Sequence, residues 1–146
     1  MEQTLSGGYR ISDELARIDF DAVTGWLSGT YWVPGIGRDE VERAAKNSSL
    51  VLGVYSPERG QVGFARAVSD KTRFAYLMDV YVEEKHRRRG LGQALIRFAM
   101  AHPDHLSVYQ WLLATRNAQP VYAGVGFKPL AHPERWMMNQ RERPVF

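Results

Sequence analysis

The stretch Tyr76-Leu77-Met78-Asp79-Val80-Tyr81-Val82-Glu83-Glu84-Lys85-His86-Arg87-Arg88-Arg89-Gly90-Leu91-Gly92-Gln93 decides the fold. Through Val82 it is apolar, aromatic and β-branched, the composition of a buried strand. Lys85, Arg87, Arg88 and Arg89 follow, and Gly90, Leu91 and Gly92 then open a helical pattern with Ala94, Leu95, Ile96 and Phe98. A strand, a basic glycine loop and a helix start, in that order, make an anion cradle. Backbone N–H groups in a first helical turn have no intrahelical partner, and the helix dipole favours negative charge there. Gly90 and Gly92 carry no Cβ, so phosphate oxygens can approach the backbone.

Upstream, residues 50–55, 61–68 and 74–82 read as three strands joined by tight turns, the first turn being Pro57-Glu58-Arg59-Gly60. They form an antiparallel meander. Before them, residues 9–12 read as a short strand. Phe20, Val23 and Leu27 fall at helical spacing, with Asp19 as N-cap. Gly29, Pro34, Gly35 and Gly37 mark a loop around Tyr31 and Trp32. A second helix is expected over 39–46, with Val41, Ala44 and Ala45 inward.

Downstream, the helix from Gly90 ends near His102, because Pro103 follows. Residues 109–114 read as a strand and 118–123 as a short helix whose Pro120 fits only a first turn. Gly124 and Gly126 stop that helix, and 127–130 and 135–139 read as two last strands. The expected fold is α/β of the α+β kind. It is one domain over residues 1–146, with a mixed, mostly antiparallel sheet and helices on both faces.

The composition sets limits. A chain of 146 residues can bury a sizeable core. A net charge of +3 suits an anionic ligand and is too small to argue nucleic acid by itself. With no cysteine, disulfides, thiolate metal sites and a cysteine acyl-enzyme are excluded. The first residues carry no basic-then-apolar leader, and no apolar run approaches the ~20 residues of a membrane helix. A cytoplasmic protein without a membrane partner is expected. The four histidines show no metal-ligand spacing, so no metal is expected; His86 and His102 read as surface or capping residues.

These residues resemble the GNAT superfamily of acetyl-CoA-dependent N-acetyltransferases. Arg87-Arg88-Arg89-Gly90-Leu91-Gly92 matches that family's pyrophosphate signature: Gln or Arg, two residues, Gly, one residue, Gly or Ala. Tyr122 with Gly126-Phe127 matches its Tyr, three residues, Gly-Phe. The order of elements fits over nearly the whole chain. The family often has Asn seven residues before that tyrosine, where this chain has Thr115, which can still form a hydrogen bond or cap the helix.

The resemblance implies acetyl-CoA as co-substrate and a small-molecule or protein amine as acceptor. It implies a splayed strand pair, and homodimers are common in the family. The backbones of Arg88, Arg89, Gly90, Leu91, Gly92 and Gln93 would hold the pyrophosphate, with Arg87 at the loop's start. Val80 and Val82 would pair with the pantetheine arm through their backbones, the Val80 N–H facing the thioester oxygen. Thr115 would stand at the cofactor, and Tyr122 would protonate the leaving thiolate. Tyr31 and Trp32 would line the acceptor pocket; a hydrophobic plug is the plainer reading. Tyr76 stands where the family often has its acidic residue.

The base is open. Asp79, Glu83 and Glu84 are the nearby carboxylates. Strand alternation puts Tyr76, Met78 and Val80 on one face and Asp79 on the other, unless a bulge intervenes. Asp79 is the candidate base; a hydrogen bond supporting the strand, with water carrying the proton, is the alternative. Two rival functions remain. A non-catalytic acyl-CoA-binding module would lose nothing with the Tyr122 hydroxyl, and a nucleic-acid-binding protein would show steep salt dependence.

Overall fold

Strand β5, Phe74–Val82, is the member of the sheet with two unlike neighbours. The computed structural model describes residues 1–145, so Phe146 of the expected domain lies outside the described residues. Six strands run in sequence order across one sheet: β1 Glu2–Thr4, β2 Arg10–Ser12, β3 Leu50–Tyr55, β4 Gln61–Ser69, β5 and β6 Gln110–Leu112. All neighbours are antiparallel except β5 and β6, which are parallel. Among the described residues there are four α-helices: α1 Phe20–Ser28, α2 Arg38–Lys46, α3 Leu91–Ala101 and α4 Gln119–Ala123, the last of which packs on α3.

The helices divide between the two faces as the apolar periodicity requires. Leu91, Leu95, Phe98 and Ala99 of α3 pack on Leu50, Leu52, Val54, Ala65 and Ala67. Val23 and Leu27 of α1, with Val41 and Ala45 of α2, pack on Val51 and Phe64 of the opposite face. Strand β3 is therefore buried on both sides, which explains its unbroken apolar run. Asp19 caps α1, its Oδ1 accepting from the Ala22 N–H at 3.0 Å. His102 caps the 3-10 turn after α3, its Nδ1 accepting from the Asp104 N–H at 3.2 Å.

His105 is a core residue. Its Nδ1–H donates to the Ala99 carbonyl (3.0 Å), and its Nε2 lies 3.1 Å from the Ser49 Oγ, whose hydroxyl donates to the Ala67 carbonyl at 2.9 Å. Burial lowers its pKa, which suits a neutral imidazole packed edge-on against Trp111 of β6. Among the described residues no helix is long and apolar enough to cross a membrane.

Three differences from the sequence reading are found. A first strand, β1, exists that its polar three residues did not signal. Conversely, no strand forms over 127–130 or 135–139; the chain there is irregular, with a 3-10 turn at Pro133–Arg135. Pro129 removes a ladder donor from the first of these segments. The second presents Trp136, Met137 and Met138 to solvent, Met137 being 98% exposed, so no buried face stabilises a strand.

Candidate active site

Between β5 and α3 the chain makes an Arg88 residue with φ +63° and a Gly90 with φ +74°. Two left-handed positions so close together turn successive N–H groups to one concave side. The Arg87 N–H bonds the Glu84 carbonyl and the Ala94 N–H bonds that of Gly90. Among the described residues, no N–H of residues 88–93 between them has a partner in the protein. Glycine at 90 is favoured by its φ, where a side chain would be strained. At 92 an added Cβ would meet only the Val121 Cγ1 at 3.9 Å, so the fold itself does not demand glycine there. The bare backbone at Gly92 is free to face a ligand.

The arginines divide their roles. Arg87 turns back on the strand, its Nε donating to the Val82 carbonyl at 2.7 Å and its guanidinium lying 5.2 Å from the Tyr81 ring centroid. Tyr81 in turn stacks on Trp26 of α1. Arg88 and Arg89 are exposed and form no ion pair among the described residues. The His86 Nδ1, 2.8 Å from the Tyr9 hydroxyl, ties the loop to the chain just before β2.

The sheet opens beside this cradle. Parallel pairing runs Phe74↔Gln110, Ala75↔Trp111, Tyr76↔Leu112 and stops, while β5 continues to Val82. Tyr76 is thus the last paired residue before the strands part. The Glu83 N–H donates to the Val62 carbonyl, on the β4 side. Alternation then points the N–H groups of Val82 and Val80 away from β4, into the opening.

A β-bulge sits at the same place. Phe64 pairs with Tyr81 but Arg66 pairs with Met78, so Ala65 opposes both Asp79 and Val80. Asp79 takes the bulge with φ +55°, a conformation that aspartate tolerates better than most residues. The bulge overturns the simple alternation. Val80 and Val82 pack toward α3, while Asp79 joins Met78 and Tyr81 on the α1/α2 face. There the Arg66 Nε donates to Asp79 Oδ2 at 2.7 Å, with the two side chains only 11% and 7% exposed. The Trp32 indole Nε1 donates to Asp79 Oδ1 at 3.0 Å. Both carboxylate oxygens are engaged.

Trp32 belongs to the loop between α1 and α2, and its neighbour Tyr31 reaches the other side of the opening. The Tyr31 hydroxyl accepts from the Arg116 N–H at 2.9 Å. The Arg116 guanidinium lies over the Tyr31 ring, 3.9 Å from its centroid, and the Tyr31 and Trp32 rings meet edge to face. The loop is a strap from the β5 bulge to the segment after β6. Tyr31 and Trp32 are 39% and 40% exposed, so they are not a buried plug. A groove of about 560 Å³ beside Gly35, Gly37 and Arg143 contains none of these groups; it is the seam where C-terminal residues meet α2.

Tyr122 lies on α4, half-buried, and its hydroxyl makes no hydrogen bond among the described residues. Burial, and then the nearby Tyr31 phenol, raise its pKa above the ordinary tyrosine value. The motif spacing has a local cause. Gly126 takes φ +95°, and the Phe127 N–H turns back to the Tyr122 carbonyl at 3.1 Å, closing the helix in a Schellman-like stop. Phe127 then rests edge-on against the Tyr122 ring. Thr115 Oγ1 accepts from the Ala118 N–H at 3.1 Å, so it fixes the turn into α4. Gln93 fastens α4 to α3 through the Val121 carbonyl at 3.0 Å. A Cβ on Gly124 would come within 2.3 Å of the Gln93 amide, so that contact needs the glycine. Sequence reasoning missed Arg66 and Arg116. The only signal for either was position: Arg66 lies across the hairpin from the bulge, and Arg116 follows Thr115.

Comparison with known proteins supplies the family context. A family model described as "Acetyltransferase (GNAT) domain" matches residues 47–129, more than half of the chain. A provisionally named GNAT acetyltransferase from Xanthomonas campestris pv. campestris is 37% identical in sequence. Its crystal structure superposes with a TM-score of 0.84 over 91% of this chain and 93% of that one. A provisionally named acetyltransferase from Deinococcus radiodurans shares the fold at 20% identity, with a TM-score of 0.74 over 97% of this chain and 94% of its own. A provisionally named acetyltransferase of Gibberella zeae is 27% identical over 110 residues, spanning 62% of this chain and 62% of that protein's length.

Proposed function

The chain belongs to the GNAT acetyltransferase family, and on that footing we propose that it transfers an acetyl group from acetyl-CoA to an amine, by direct attack with both substrates bound. The observation that carries this reading is the run of unpartnered N–H groups over residues 88–93 beside the open edge of β5. Acetyl-CoA supplies an activated acetyl group. In this reading the N–H groups of residues 88–93 hold the pyrophosphate, and Arg88 and Arg89 lend their charge to the phosphates. The outward backbones of Val80 and Val82 pair with the pantetheine arm. The Val80 N–H faces the thioester oxygen, where a fixed donor contributes about 2.7–4 kcal/mol to lowering a barrier.

Tyr122 is the proton donor to the departing sulfur. Its raised pKa keeps the phenol protonated at neutral pH, and its free hydroxyl has no structural bond to surrender. This favours an enzyme over a non-catalytic binding module. Asp79 holds the bulge that aims Val80, because both its oxygens already accept bonds from Arg66 and Trp32. Water carries the proton from the amine. Tyr31, Trp32 and Tyr76 line the acceptor side.

Titration calorimetry with acetyl-CoA tests the cradle. Wild-type protein should bind, and Gly92→Val should bind at least about tenfold more weakly, since its branched Cβ stands where phosphate must approach. The variant should stay folded, because only Val121 lies near the added carbon. Wild-type affinity in a folded Gly92→Val protein would remove the cradle from the account.

A further inference from the structure

Resting on the acetyltransferase reading, we infer that the acceptor amine carries an anionic group, a carboxylate or a phosphate, and that Arg116 receives it. Arg116 stands at the rim of the opening on the β6 side, directly after Thr115. It is exposed and makes no ion pair with any described carboxylate. It is nevertheless held in place. Tyr31 grips it twice, by its hydroxyl on the Arg116 N–H and by its ring under the guanidinium. Tyr31 is braced by Trp32, and Trp32 by the buried Asp79. A guanidinium stacked on a ring keeps its N–H edge free, and that planar fork matches a carboxylate or phosphate.

The carboxylate on the other side of the strap is already paired. Asp79 is neutralised by Arg66, at 2.7 Å, and offers no competing anion. Tyr31, which holds Arg116, is also near enough to Tyr122 to add to the effect of burial in raising its pKa. An acceptor whose anionic end sits on Arg116 would therefore direct its amine inward, past the strap. A free fork at the rim does nothing for a simple alkylamine.

Matched acceptors test this: L-amino acids against their amides, and phosphoethanolamine against ethanolamine, each at saturating acetyl-CoA. The wild type should prefer the anionic member of one pair by about tenfold or more in kcat/KM, as a charge-assisted hydrogen bond implies. The pair that responds distinguishes carboxylate from phosphate. Arg116→Gln should lose that preference through KM rather than kcat, with acetyl-CoA affinity unchanged. Arg116→Lys, keeping the charge without the fork, should recover part of it. The inference falls if neither anionic member is preferred, if Arg116→Gln keeps the preference, or if the variant loses acetyl-CoA affinity instead. Acetylation of neutral amines only would sink the inference and leave the acetyltransferase reading standing. Failure to bind acetyl-CoA or acetylate anything would remove both.

Discussion

Tyr122→Phe should lower kcat by about 10²–10⁴-fold while the protein melts as wild type does. The two halves of this expectation have separate grounds. The phenylalanine keeps the ring that rests on Phe127, and no described residue bonds the hydroxyl, so the fold loses nothing. A free thiol has a pKa of about 8.5, so a departing thiolate needs a proton donor near neutral pH. Tyr122, with its pKa raised by burial and then by Tyr31, stays protonated across the neutral range and so could serve as that donor. Acetyl-CoA affinity should be little changed. An acyl donor with a more acidic thiol should suffer less from the substitution, since its leaving group needs the proton less. Full kcat in the variant, with chemistry rate-limiting, would mean that water protonates the sulfur and the tyrosine only packs.

The second large effect is on stability. Asp79→Ala should destabilise the fold by about 3–5 kcal/mol, because Arg66 would be left buried without its partner. The same change releases the Trp32 indole and places alanine at a φ of +55°, which its Cβ disfavours. Denaturant unfolding measures it directly. Asp79→Asn, which still tolerates the left-handed conformation and can still accept from Trp32, should fall between wild type and Asp79→Ala. If Asp79→Asn unfolds as wild type does but loses kcat, Asp79 is the general base and the bulge is held by other contacts. If Asp79→Ala costs under about 1 kcal/mol, the buried pair is not what fixes the bulge.

The contrast between what was legible and what was not follows from how far apart the deciding residues lie. The β3–β4–β5 meander and the start of α3 were readable because periodicity and turn residues are local signals, and β5 came out at its observed bounds, Phe74–Val82. The glycine turn into α3 was readable for the same reason: Gly90 and Gly92 sit within one short stretch. The bulge was not. It depends on β4 pairing one residue short against β5; alternation counted along β5 alone kept Asp79 and Val80 on opposite faces, as observed, but grouped Tyr76 and Met78 with Val80 instead of with Asp79. Its partners Arg66 and Trp32 stand on other elements altogether.

The errors at the ends of the chain have a different cause. Glu2–Thr4 is polar and exposed, and it is a strand only because β2 offers it an edge. Trp136, Met137 and Met138 have strand-like side chains but no edge and no cover. Propensity proposes a strand; a neighbouring backbone and a buried face decide it. The same holds for Tyr31 and Trp32. Their loop was legible from its glycines, but its span from Asp79 to Arg116 depends on contacts across the whole domain.

The central claim is acetyl transfer, and its most direct measurement is thiol release from acetyl-CoA across a panel of amines, with the product identified by mass. The expected result is amine-dependent thiol release matched one for one by N-acetylated product, abolished or strongly reduced in Tyr122→Phe. Acetyl-CoA that binds tightly but releases no thiol above the uncatalysed rate with any amine would contradict the claim and make this chain a coenzyme-binding module.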